Sequence, residues 1–112
     1  KYINFKAFEV QHGMIKSTAY VFNKIAYISD CNFISNKHLR YLKGLNYLII
    51  DCLKKRKHPS HFNFQEAIEF SKRVAPKKTI LTNLHVDLDY IKLKKDLPKN
   101  IIPAFDGLKF RF

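Results

Sequence analysis

Three apolar, strand-like segments of this chain each run into a residue that can ligate a divalent ion. FEVQHG reaches His12, AYISDCN reaches Asp30, and KTILTNLHVDLDY reaches His85. Strand ends are where open α/β sheets collect their chemistry, and imidazole with carboxylate is the usual donor set for a hydrolytic metal ion. Asp30 follows an apolar strand and precedes a small Cys, which suits a carboxylate shared between two ions. Two cations ~3.5–4 Å apart repel, and a bridging anion offsets part of that repulsion while fixing the spacing. The same residue would also serve as an Asx turn or a helix cap. His12, before Gly13, reads as a hairpin residue when taken alone and as a ligand when the hairpin joins it to Asp30. In an extended segment residues two apart face the same way, so His85 would approach the space that Asn83 faces. His85 then fits either a ligand or a group that orients one through a hydrogen bond. Asp87 and Asp89 read as caps of the helix that follows. Asp51, at another strand end, reads as a structural or orienting carboxylate.

The elements that must position these residues alternate. Residues 3–11 and 15–22 have the period of strands, joined through His12-Gly13-Met14, and a third strand over 24–29 ends at Asp30. Ser35 is placed to cap a short helix through Leu42, closed by Gly44. An apolar strand over 47–50 leads to Asp51-Cys52 and then to a basic loop containing HPSH. Asn63 with Glu66 three positions on forms a capping box for a helix that Pro76 ends. A strand over 78–82 is expected to continue through Asn83 towards Asp89, before a short helix stopped by Pro98. Two small strands, near 101–104 and 108–112, flank the turn Asp106-Gly107. Strands first and βαβ-like units afterwards predict an α/β chain of the α+β type, a mixed sheet with its helices on one face.

Composition bounds the reading. The hydrophobic share of 46% with 10 Phe and 6 Tyr supports a packed core rather than disorder. Apolar runs are too short to span a bilayer and the start lacks signal-peptide architecture, which points to a cytoplasmic protein with no membrane partner. Cys31 and Cys52 belong to no CxxC pattern and read as buried, reduced thiols. The charge of +12 would suit nucleic acid. Most of the basic residues are Lys, however, and they occur with abundant Asn, Ile, Phe and Tyr, the mark of A/T-rich codons. Nucleic acid is therefore not the favoured partner, although LKKRKHPSH, from Leu53 to His61, could draw in an anionic substrate. A homodimer is compatible with all of this. The absence of an initiator Met and room for only one domain fit a piece of a longer protein.

The succession QHG, STAYVF, YISDCN, YLIIDC, HPSHFN, ILTNLHVDLDY and IIPAFDGLKF resembles the C-terminal half of the metallo-β-lactamase superfamily. Within it, the resemblance is to the cyclic phosphodiesterases similar to phosphoribosyl cyclic phosphate phosphodiesterase. It covers nearly all of residues 1–112. It implies half of an αββα sandwich, a metal-dependent hydrolase of small phosphodiesters, and two divalent ions, manganese or zinc. The family's N-terminal HxHxDH motif is absent from this sequence. What carries over is His12 as a ligand, Asp30 as the bridging carboxylate, and the position after LT, where Asn83 replaces the family's His. An amide oxygen is a weaker ligand than imidazole. His61 stands where the resembling enzymes place a catalytic His. Beside a phosphodiester it would protonate a leaving alkoxide or stabilise phosphoryl oxygens, worth roughly 10²–10⁴-fold; otherwise it is a solvated loop residue or a cap partner. His58 is a weaker candidate of the same kind, and His38 is expected to face solvent. A nuclease of the same superfamily and a non-catalytic domain with a degraded centre are the alternatives.

Overall fold

The computed structural model describes residues 2–111. Six strands form one sheet in chain order: β1 (Lys6–His12), β2 (Ile15–Phe22), β3 (Ile25–Ile28), β4 (Tyr47–Asp51), β5 (Lys78–Thr82) and β6 (Ile101–Pro103). The first three pair antiparallel, and β3 to β6 pair parallel. Two hairpins supply the antiparallel part. Asn23 and Lys24, at φ 45° and 61°, make the second a two-residue turn of the kind whose twist matches that of its strands.

One face of the sheet is apolar by alternation. Phe8, Val10, Ala19, Val21, Ala26, Ile28, Leu48, Ile50 and Leu81 all enter a single buried cluster, joined by Leu42, Ala67, Ile68, Phe70 and Leu93 from the helical segments. All the helices therefore serve one face, as expected for a mixed α/β sheet. Helix α1 (Phe64–Val74) carries the predicted capping box. Asn63 accepts from the Glu66 N–H and the Glu66 side chain accepts from the Asn63 N–H. Its far end turns at Ala75, φ 53°, one residue before Pro76. Ser71 of α1 reaches the sheet through a 2.6 Å hydrogen bond to Thr79.

The segment Asn36–Leu42 is a 3₁₀ helix rather than an α-helix, and Ser35 makes no side-chain cap to it. Strand β5 does not run on past Thr82, because Asn83 adopts φ 60°, which breaks the extended backbone. Helix α2 (Tyr90–Asp96) starts from Asp89, whose carboxylate accepts from the Ile91 and Lys92 N–H groups. The small strand expected near 108–112 is not formed over residues 108–111; Phe110 instead rests against Tyr47, ring centroids 4.4 Å apart. Phe112 lies outside the described residues.

Candidate metal centre

Strand direction explains why residues far apart in sequence meet. β2 reverses β1 and β3 reverses β2, so β1 and β3 point the same way, and β4 and β5 run parallel to β3. His12 closes β1, Asp30 follows β3, Asp51 ends β4 and Asn83 follows β5. All four therefore stand along one edge of the sheet, at the carboxyl ends of its parallel strands. The loop after β4 returns to this edge, where the Phe62 N–H donates to the Cys31 carbonyl (2.7 Å) and the Leu53 N–H to the Phe62 carbonyl (3.0 Å). That return brings His61 in. Ligand atoms of His12, Asp30 and His61 lie within 4.8 Å of one another.

Each imidazole is oriented by a bond on its far nitrogen. His12 Nδ1 is 2.7 Å from the Ser60 carbonyl, which only accepts, so Nδ1 carries the proton and Nε2 keeps its lone pair. His61 Nδ1 is 2.6 Å from Asp51 Oδ2. That carboxylate oxygen also accepts the Cys31 N–H at 2.9 Å, so His61 likewise donates from Nδ1 and leaves Nε2 free. The two rings meet edge to face at 4.8 Å. Asp51 is fully buried, and burial pushes its carboxyl above the usual carboxylate range, against the opposing pull of the Cys31 N–H and of His61. A buried carboxylate behind an imidazole fixes its tautomer and ring orientation. His12 Nε2 with the Asp30 carboxylate is a nitrogen–oxygen donor pair that suits a divalent ion, and His61 Nε2 faces the same space.

Gly13 makes the arrangement sterically feasible. It sits at φ +63°, and a Cβ there would lie 2.9 Å from the Ser60 Cβ, so only glycine lets the HPSH loop press onto the first hairpin. The Gly13 N–H donates to Asn32 Oδ1 at 2.8 Å, tying the hairpin to the segment just after Asp30. Within the loop, the Ser60 N–H donates to His58 Nδ1 at 3.2 Å. Burial, followed by the neighbouring His61, holds the His58 imidazole below its ordinary pKa.

The remaining expected residues fall elsewhere or act differently. Asn83 reaches the site, donating from its amide nitrogen to the Ser29 carbonyl, with Asp30 Oδ1 and Asp51 Oδ1 each 3.4 Å away. His85 does not join the group. With the strand ended at Thr82 the expected same-side relation to Asn83 is lost, and the exposed His85 ring pairs with Asp87 at 3.2 Å. His38 does not simply face solvent: it stacks on Phe8 at 4.7 Å and its Nδ1 is buried. Burial, then Lys37 and Arg40, lower its pKa. The part of Asp51 in orienting His61 was only half legible. The repeated Asp-Cys step after β3 and β4 signalled it, but only the fold shows which His it meets.

Comparison with known proteins bears on the family and the fold. The model of the beta-lactamase superfamily domain matches residues 1–83. The chain belongs to this family. Its metallo-β-lactamase fold recurs in a diphosphatase from the PhnP family, 30% identical with a TM-score of 0.95 over 98% of this chain and 44% of that one. It recurs also in human tRNase Z, short form (21% identity, TM-score 0.72, 95% of this chain and 42% of that one), and in YhfI of Bacillus subtilis (16%, 0.77, 95% and 48%). A protein of Porphyromonas gingivalis named octanoyltransferase is 29% identical over 103 residues, 89% of this chain and 21% of that protein. The chain thus spans less than half the length of these structures and about a fifth of that relative.

Proposed function

We propose that this chain is the C-terminal half of a metal-dependent hydrolase that cleaves small phosphodiesters, cyclic phosphates being the preferred class. The observation that carries this is the convergence of His12, Asp30 and His61, each imidazole held by a hydrogen bond that leaves one nitrogen free. A divalent ion bound here would lower the pKa of its water and polarise a phosphoryl oxygen. His12 and Asp30 are the ligands on this side of the centre. His61, backed by Asp51, presents Nε2 to the substrate, where a protonated ring gives its proton to the leaving oxygen and Asp51 steadies the charge. The diphosphatase among the similar structures supports chemistry at phosphorus, and the basic run Lys54 to Lys57, in the loop that also carries His61, supports an anionic substrate.

The test is carried out on the full-length protein, with metal content and phosphodiester turnover measured together. Asp30→Ala should lose metal and turnover in parallel. His61→Ala should keep its metal and lose roughly 10²-fold or more in turnover, less for a leaving group that needs no proton. Unchanged turnover of His61→Ala on a poor leaving group would return the loop to a structural role. Including a cyclic nucleotide and an RNA oligomer in the same assay separates a small-molecule enzyme from a nuclease, the second reading that the basic run Lys54 to Lys57 favours.

A further inference from the structure

Next to the three-residue group, the sheet edge holds a second cluster of oxygens: the Ser29 carbonyl, Asp30 Oδ1 and Asp51 Oδ1. The amide nitrogen of Asn83 lies among them, hydrogen-bonded to Ser29 and 3.4 Å from each carboxylate oxygen. The orientation of the amide follows from its surroundings, since all three neighbours are acceptors and the opposite rotamer would set a carbonyl oxygen against two carboxylates. The position of Asn83 is fixed by the sheet, with Asp51 in register with Thr82 and the Cys52 N–H donating to the Thr82 carbonyl at 2.9 Å. Its left-handed backbone is one that Asn tolerates better than most residues. Asp51 Oδ2 already accepts from Cys31 and His61, so Oδ1 is the atom that faces Asn83.

We propose that the Asn83 amide stands in for a cation, so that this centre holds one divalent ion and not the two expected from the sequence. The –NH₂ group brings partial positive charge between Asp30 and Asp51, offsetting the repulsion of two neighbouring carboxylates as a second ion would. An amide nitrogen does not ligate a metal. To ligate through its oxygen, Asn83 would have to turn over and abandon three acceptors, two of them carboxylates. Whatever ligands the rest of the protein adds, this side of a second position is already filled. The inference rests on the reading of His12 and Asp30 as ligands.

The experiment is a metal count on the full-length protein, loaded with excess zinc or manganese and then dialysed. One ion per chain is expected. Two would overturn the inference and leave the metal-hydrolase reading standing; none would overturn that reading itself. Asn83→His and the isosteric Asn83→Asp both remove the amide donor and restore a ligand, and each should raise the count from one to two, with anomalous scattering placing the added ion beside residue 83. Asn83→Asp should also melt at a lower temperature than the parent in chelator and recover with metal, because three carboxylates then face one another. Variants that remain at one ion would show that the amide is not what excludes the second.

Discussion

At the residue scale the chemistry of this edge is decided by which atom of each side chain is already engaged. His12 and His61 are both committed at Nδ1 and open at Nε2, a distinction that residue identity alone does not contain. The strand-end positions of His12, Asp30 and Asp51 were legible, because an apolar run followed by a polar residue marks where a sheet stops. Their partners were not: Ser60 lies 48 residues from His12, and Asp51 lies 20 from Cys31. The two cysteines illustrate the more readable kind of residue. Cys31 and Cys52 are fully buried and unpaired, and burial pushes both thiols up to about 12. The thiolate is the reactive form, so at pH 8 neither should react with an aromatic disulfide reagent in the native protein. Both should react on denaturation, and rapid native labelling at either position would show that the sheet edge opens.

At the element scale, local signals predicted what local interactions determine. The Asn63 and Glu66 capping box formed as expected, because all its parts lie within one helical turn. The continuation of β5 failed because a single left-handed residue, Asn83, ended it, and an asparagine within an alternating apolar pattern does not announce that conformation. The first hairpin carries the most consequence for function, since Gly13 both turns the chain and leaves room for Ser60. Gly13→Ala would place an L side chain at φ +63° and a carbon 2.9 Å from Ser60 Cβ. A strained backbone of this kind costs on the order of 1–3 kcal/mol, and the overlap adds to it by pushing the HPSH loop away. The variant should show a lower denaturant midpoint with an unchanged slope. It should also bind metal more weakly, since His12 would lose the carbonyl that orients it. Parent-like stability and affinity would mean that the loop is not seated by this contact.

At the scale of the whole molecule, the helices cover one face of the sheet, while the other is covered only in part, Ile80 being buried and Phe110 resting on Tyr47. The face opposite the helices carries, in register from β1 to β6, Ala7, Tyr20, Tyr27, Ile49, Ile80 and Ile102. Tyr20 is 43% exposed and Tyr27 42%, and Phe5, at 58%, leans on Tyr20 and Phe22. Exposed aromatic residues at the β1–β3 end of this face favour association, and β1 offers an edge for pairing before Gln11, which is already bridged to Phe33. In the full-length protein we expect a second layer to cover this surface, consistent with the chain spanning 44% of the diphosphatase. Residues 1–112 produced alone should therefore bind a dye that reports exposed apolar surface and should elute as larger species as concentration rises. The net charge of +12 opposes this association, so added salt should strengthen it by screening the repulsion. Replacing Tyr20 and Tyr27 with Lys should weaken both dye binding and self-association while leaving the helix-covered core intact. A parent chain that stays monomeric and dye-free at high salt would show that this face needs no cover, and would remove the main structural reason for reading the chain as half of a sandwich.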